Sequence, residues 1–365
     1  MLVNEFPRSF CNLLCVSVLF VCSFIGIGRA APNAASFYSP DCDPITGCPP
    51  VIAATEFQSH SAFAFNNGIT SAVVVPNLGR VMAFGLGDKS TFGKSTFNWL
   101  WNNKSPEKNQ TWKNWGGEKT WLAPQSDWLQ IAGAKWPPDP SWTKVIQSEV
   151  QTGGFLKTTS AVSSPSGIRF IKQYGHDESG DFFIRQTAEK VSGKPLQMAL
   201  WNVTQINPPD AVFFLLNPSS KEEARLAPTI QVQQLQGNAT PPIQQKGDLA
   251  CYIPSEQTSL KFGINTSTPV LAALHQNQLF VLRAKAQNAI YPDATQKSPQ
   301  GFSLEIFDSG VMPQRYLELE IYSPLRSFHQ GSAWTFTVKW NVYQLPDSDL
   351  QSAQLWDAIE KILKP

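Results

Sequence analysis

Beyond residue 57, short runs of apolar residues recur along the chain. Some alternate apolar and polar with a period of two, others are unbroken β-branched and aromatic stretches, and Gly, Pro, Asn and Asp separate them. This pattern predicts strands over 73–75, 81–86, 168–174, 181–189, 196–205, 212–216, 270–274, 279–286, 302–307, 316–322 and 334–343. No helical period is interleaved between them, which argues for an all-β sandwich or barrel of mainly antiparallel strands and against an α/β fold. In 316–322, Leu317, Leu319 and Ile321 project to one side, and Tyr316, Glu318, Glu320 and Tyr322 to the other. Two carboxylates and two aromatics on one strand face read either as a solvated sheet surface or as the lining of a polar groove. In 334–343 the alternation gathers Trp334, Phe336, Val338, Trp340 and Val342 on a core-facing side. The one good helical period comes last, over 348–363, with Ser348 as cap and Leu355, Trp356, Ile359 and Leu363 on one face. Such a helix is expected to lie on the outside of the sheets, over an edge.

The first 30 residues read differently. Arg8 ends a short polar start, 11–28 is an 18-residue apolar stretch, and Gly28-Arg29-Ala30 resembles a cleavage site before Ala31. This is the pattern of a secretory signal peptide, and it places the mature protein in a secreted or periplasmic compartment. The competing reading is an uncleaved anchor, because 18 apolar residues just reach spanning length. No second stretch of that kind follows, so no membrane contact is expected beyond the leader. Arg8, Arg29 and Glu5 leave with it, so 29 basic and 28 acidic residues become 27 and 27. With zero net charge and no basic run, a nucleic-acid partner is excluded, because phosphate neutralisation needs clustered Lys and Arg. Residues 31–56 are rich in Ala, Pro and Cys and form an N-terminal extension, where Cys42 and Cys48 are placed for a local disulfide in an oxidising compartment. Cys251 remains as a small buried hydrophobe. The rest, 57–365, is a single domain, and 12% aromatic residues supply a large core. Nothing in the sequence sets the oligomeric state.

Most catalytic signatures are missing. His60, His176, His275 and His329 are far apart, no Cys pair has zinc spacing, and no metal or other cofactor is called for. The segment from Gly87 to Ser95 imitates a phosphate loop but has five residues between its glycines and no helix after it. No G-x-S-x-G elbow occurs. What stands out is tryptophan: eight of the 12 lie between Trp99 and Trp142, mixed with Asn, Lys, Asp, Gly and Pro. That texture predicts a long folded loop. Its rings serve either as core or as platforms that stack on sugar rings while neighbouring polar groups bond the hydroxyls.

Six collinear segments carry a family resemblance: Asn77-Leu-Gly-Arg-Val-Met-Ala-Phe84, Trp115-Gly-Gly-Glu-Lys-Thr-Trp-Leu-Ala-Pro-Gln125, Trp136-Pro-Pro-Asp-Pro140, Leu200-Trp-Asn-Val-Thr-Gln205, Tyr291-Pro-Asp293 and Leu317-Glu-Leu-Glu-Ile-Tyr-Ser-Pro324. Over roughly 57–345 the chain resembles a largely uncharacterised bacterial family placed among the galactose mutarotase-like proteins. The resemblance implies a β-supersandwich with a saccharide on the concave face of one sheet. It also implies the chemistry of aldose mutarotases, in which a late-strand Glu takes the anomeric proton and a His protonates the ring oxygen. Glu320 matches the base, with Glu318 beside it on the same face. Gln205 stands near the expected His, and the early His motif is replaced by Gly116-Gly117-Glu118-Lys119. A glutamine holds a hydroxyl but is no general acid.

Three readings follow. The first is an exported saccharide-binding protein with contacts from Glu118, Lys119, Trp121, Gln125, Trp136, Asp139, Gln205, Asp293, Arg315, Glu318 and Glu320. The second is a sugar epimerase with Glu320 as base and Lys119 or His275 as acid. The third is a structural domain without chemistry.

Overall fold

Alternation becomes pleated sheet throughout the computed structural model, which describes residues 51–87, 97–104, 106, 112–217 and 232–364. The expected leader, the Cys42–Cys48 pair and most of the phosphate-loop look-alike lie outside the described residues. The chain first meanders through β1 (Val51–Phe57), β2 (His60–Asn66), β3 (Thr70–Val75) and β4 (Arg80–Leu86), then reaches β5 (Glu118–Ala123) and the short helix α1 (Trp128–Ile131). A second meander contains β6 (Val145–Gln151), β7 (Phe155–Ser160), β8 (Ile168–His176) and β9 (Phe182–Lys190). The long β10 (Leu196–Ile206) leads to β11 (Ala211–Leu215), β12 (Val232–Gln236), β13 (Ile243–Lys246), β14 (Leu249–Tyr252) and β15 (Leu260–Ile264). Last come β16 (Val270–His275), β17 (Gln278–Ala284), β18 (Leu304–Asp308), β19 (Leu317–Tyr322), β20 (Arg326–Phe328), β21 (Ala333–Gln344) and the helix α2 (Ala353–Leu363).

Among the described residues these strands form two antiparallel sheets. The larger has the order β1-β2-β3-β4-β5-β10-β19-β18-β15-β12, with β20 also on β10; the smaller runs β13-β14-β11-β16-β17-β21-β9-β8-β7-β6. All eleven strands expected from alternation are present, their ends shifted by at most three residues. The segment read as a loop around Trp121 is instead the central strand β5, and β1 begins the sheet inside the stretch expected to be an extension.

Between the sheets lies one apolar layer in which Phe65 and Phe84 from the larger sheet meet Phe182, Phe280 and Trp340 from the smaller. Phe336, Val338, Trp340 and Val342 are buried there as their alternation requires, while Trp334 is only partly covered. The outer face of the smaller sheet is apolar too, because Phe213, Leu215, Cys251, Ala272 and Val281 are covered by α2. Strands buried on both faces read as continuous runs such as Ala-Val-Phe-Phe-Leu, without alternation. The helix therefore packs on a sheet face and not over an edge. Its cap is Ser352, whose Oγ accepts from Leu355 N at 3.3 Å; Ser348 lies a turn too early, beside Asp347. Leu355, Trp356, Ile359 and Leu363 are its buried face, as expected. Burying four such side chains contributes on the order of 6–12 kcal/mol, before the entropy of ordering the segment is subtracted.

Candidate functional site

Directly opposed residues in an antiparallel ladder project to the same side, so strand register defines a face. Across the middle of the larger sheet it produces three rows. Trp121, Trp201 and Tyr322 form the first. Lys119, Val203, Glu320 and Glu305 form the second, which continues through Gly263 to Gln233. Gln205, Glu318, Phe307 and Lys261 form the third. The residues between them, such as Glu118 and Leu319, point into the sandwich, so the rows lie on the side turned away from the smaller sheet. Gly263 is required there: a Cβ would sit 2.3 Å from the Phe302 ring.

Over one end of these rows opens a cleft of about 1020 Å³, with Gln125, Trp201, Lys261, Asp293, Glu305 and Tyr322 among its walls. Its size matches sites that enclose small organic ligands. Trp201 and Tyr322 stack at 5.4 Å between ring centres and 20° between planes, and Trp121 braces Trp201 edge-on at 5.3 Å. Below them Lys261 Nζ lies 2.7 Å from Glu305 Oε2 and 2.9 Å from Glu320 Oε2. Trp201 Nε1 donates to Glu320 Oε2 at 2.8 Å, and the Tyr322 hydroxyl is within reach of Glu305 Oε2 at 2.7 Å and Glu320 Oε2 at 2.9 Å. Lys261 also lies 4.7 Å over the Trp201 ring, a cation–π contact.

The electrostatics follow from burial. Loss of water pushes the Glu320 carboxyl up to about 8; the Lys261 ammonium opposes this, while Glu305 and Glu318 add to it. Burial likewise raises Glu305 and Asp293, again against the pull of Lys261. Burial works against the Lys261 ammonium as well, but Glu305 and Glu320 outweigh it and hold its pKa above the ordinary value. Among the described residues no three His, Cys, Asp or Glu side chains are grouped to hold a metal ion.

The structure divides the residues read from sequence. Gln125 and Asp293 line the cleft. Glu320 lies beneath it, fully buried and saturated at Oε2, so the carboxylates that line the cleft are Asp127, Asp293 and Glu305. Trp121, Trp201 and Tyr322 are all buried, but only Trp201 and Tyr322 line the cleft, and Trp121 supports Trp201 from behind. Lys119, Gln205 and Glu318 share the face farther along. The Lys119 ammonium is buried, pairs with Glu318 Oε1 at 3.0 Å and lies 4.7 Å over the Trp121 ring. Burial lowers its pKa to about 8 despite Glu318. Gln205 is buried against the Tyr316 phenol.

Five residues expected at the site stand elsewhere. Glu118 is one residue out of phase, and alternation sends it between the sheets. There its carboxylate accepts from Lys172 Nζ at 2.7 and 2.8 Å and from Asn202 Nδ2 at 2.9 Å. His275 ends β16 on the smaller sheet, stacked on Phe97 at 4.7 Å, so it cannot serve as the acid partner of Glu320. Arg315 is committed to Asp308 and to the carbonyls of Tyr316 and Ser255. Asp139 caps the turn Pro140–Trp142, accepting from Ser141 N at 2.8 Å and Ser163 Oγ at 2.5 Å. Trp136 is 52% exposed, its ring lying 6.0 Å from Trp128 with planes 18° apart, and it is not among the cleft walls. Half of the tryptophan cluster is core: Trp99, Trp121, Trp128 and Trp142 are buried.

Sequence reasoning missed Lys261 and Glu305. Neither stands in a matched segment, and only the register Glu305↔Glu320 brings them to the site. Trp201 and Tyr322 stand inside matched segments without having been singled out as contacts.

Comparison with known proteins completes this picture. No curated protein matches the sequence. Among solved structures, a "putative mutarotase" from Salmonella typhimurium aligns with TM-score 0.51 at 9% identity, over 80% of this chain and 94% of that one. A "putative aldose 1-epimerase" from Klebsiella pneumoniae gives 0.51 at 8% identity, over 87% and 92%. A TPR-domain containing protein from Parabacteroides distasonis gives 0.52 at 12% identity, with 80% of this chain spanning 48% of that longer one. The fold is thus the galactose mutarotase-like β-supersandwich. A family profile matches residues 61–343, and the chain belongs to that family, a domain of unknown function designated DUF4380.

Proposed function

We propose that this chain is an exported carbohydrate-binding protein that holds a saccharide in the cleft on the outer face of its larger sheet. One observation carries the reading: a roomy cleft combines the stacked Trp201–Tyr322 pair with carboxylates, an ammonium and Gln125. Aromatic faces bury the apolar side of a pyranose, and fixed charged groups take its hydroxyls through charge-assisted hydrogen bonds. The mutarotase-like fold agrees with a sugar ligand, and the apolar stretch 11–28 supports export.

A second reading, an aldose epimerase, draws on a carboxyl held close to neutrality, since Glu320 is pushed up to about 8. It lacks the histidine of the mutarotase scheme, because none is among the residues lining the cleft, and Glu320 is covered by its neighbours. Binding without turnover is therefore the better supported function.

A few stacks and hydrogen bonds, offset by ordering costs, give an affinity of roughly 10–1000 μM. A broad glycan array followed by calorimetry tests the reading. Saturable binding of at least one saccharide class is expected, and an absence of binding across the panel would remove it.

A further inference from the structure

Three carboxylates meet one ammonium at the base of the cleft. Lys261 of β15 pairs with Glu305 of β18 and Glu320 of β19, while Asp293 enters from the loop between β17 and β18. The second oxygens, Glu305 Oε1 and Glu320 Oε1, are buried without a hydrogen-bond partner. Glu305 is only 1% exposed, yet it lines the cleft. Asp293 is held over the group by a left-handed backbone, φ 58°, a conformation that costs on the order of 1 kcal/mol for a residue with a Cβ. Its loop is pinned at both ends: Tyr291 N donates to Gln300 O and Phe302 N to Pro292 O. Gly301 closes it, where a Cβ would sit 2.2 Å from Tyr291 O. The loop thus aims a carboxylate inward at a conformational cost.

The surrounding charges do not cancel the excess. Glu318 on β19 has Lys119 as its own partner, and Asp127, at the end of the turn Gln125–Asp127, adds a further negative group. Lys135 lies on the cleft wall and is exposed. Burying three carboxylates around one ammonium is costly, and loss of water raises Asp293, Glu305 and Glu320, which favours their protonated forms.

We propose, resting on the saccharide-binding reading, that the cleft selects a sugar bearing a protonated amino group, with the ammonium directed at Glu305 Oε1 and Asp293 beside the Trp201–Tyr322 pair. Binding then replaces a stored proton with the ligand's charge, and protons are released to solvent.

Calorimetry on the full chain at pH 7 with glucosamine, galactosamine, glucose, galactose, N-acetylglucosamine and glucuronate tests this, run in two buffers of different ionisation enthalpy. The amino sugars should bind about tenfold or more tighter than their neutral parents and than N-acetylglucosamine. Their apparent enthalpy should shift between buffers by an amount reporting release of on the order of one proton. Asp293→Asn keeps the shape and tolerates the left-handed backbone, and should cut the amino-sugar preference several-fold. If that variant misfolds by circular dichroism, Glu305→Gln supplies the same comparison. Equal affinity for amino and neutral sugars, an unchanged preference in the variant, or tighter binding of glucuronate would each overturn the inference while leaving saccharide binding in place. Failure of every sugar to bind would overturn both.

Discussion

Replacing Trp121 by Ala separates the two roles its ring was open to. The side chain is 4% exposed and is enclosed by Trp112, Trp128, Trp136 and Trp201, with the Lys119 ammonium 4.7 Å over its face. Removing an enclosed indole costs roughly 3–5 kcal/mol in transfer and cavity terms. Lys119 loses a cation–π partner and keeps Glu318, which places the expected loss near the upper end, about 4–5 kcal/mol. At roughly 2 °C per kcal/mol for a domain of this size, the melting temperature should fall by about 8–10 °C. Urea unfolding followed by far-ultraviolet circular dichroism measures the loss, and calorimetry on the folded variant measures saccharide affinity. Stability should drop by the stated amount, while affinity falls less than tenfold because Trp201 carries the contact. A stability loss below about 1 kcal/mol together with abolished binding would refute the placement of Trp121 behind the cleft.

Other outcomes follow from the same geometry. Lys172→Met leaves the Glu118 carboxylate between the sheets with only the neutral donors Asn202 and Thr120, and should destabilise by about 3–5 kcal/mol near neutral pH with little effect on binding, as measured by denaturant titration and calorimetry. Glu320 has a folded pKa raised to about 8, so the folded state binds more protons than the unfolded one; its contribution to stability is full below about 4.5 and is lost as pH rises through 8. Glu320→Gln should therefore flatten the fall in stability between pH 5 and 8, and an unchanged slope in urea titrations would contradict the assignment. His176 shows the opposite sense, since burial lowers its pKa to about 3: stability is lost as pH falls from 6.5 toward 3, and His176→Gln should weaken that dependence. For catalysis, NMR exchange rates of α and β aldoses should match buffer alone for both the wild type and Glu320→Gln; acceleration lost in the variant would establish the epimerase reading instead.

How far the sequence revealed this architecture depended on burial. Strands with one polar and one apolar face, such as β19 and β21, were legible from period two alone. The strand β14, buried on both sides, carries no alternation, β15 alternates over only five residues, and β5 was obscured by the tryptophans and prolines around it. The helix face was correct because 3.6-residue spacing survives packing, but its start was not, because Ser348 and Ser352 are both competent caps and tertiary contacts choose between them. At the site, local sequence could assign a face but not a partner. Glu318 and Glu320 were correctly placed together, whereas Glu118 was drawn in by its motif and sent inward by a one-residue phase. Lys261 and Glu305 join only through register between strands distant in sequence. His275 was nominated for its chemistry, and topology assigns it to the other sheet.

A crystal structure of the chain with the tightest saccharide from the array tests the central claim most directly. The account predicts the sugar ring against the Trp201–Tyr322 pair, with polar groups within hydrogen-bond distance of Glu305 and Asp293. A saccharide seated elsewhere, with this cleft holding only solvent, would contradict it.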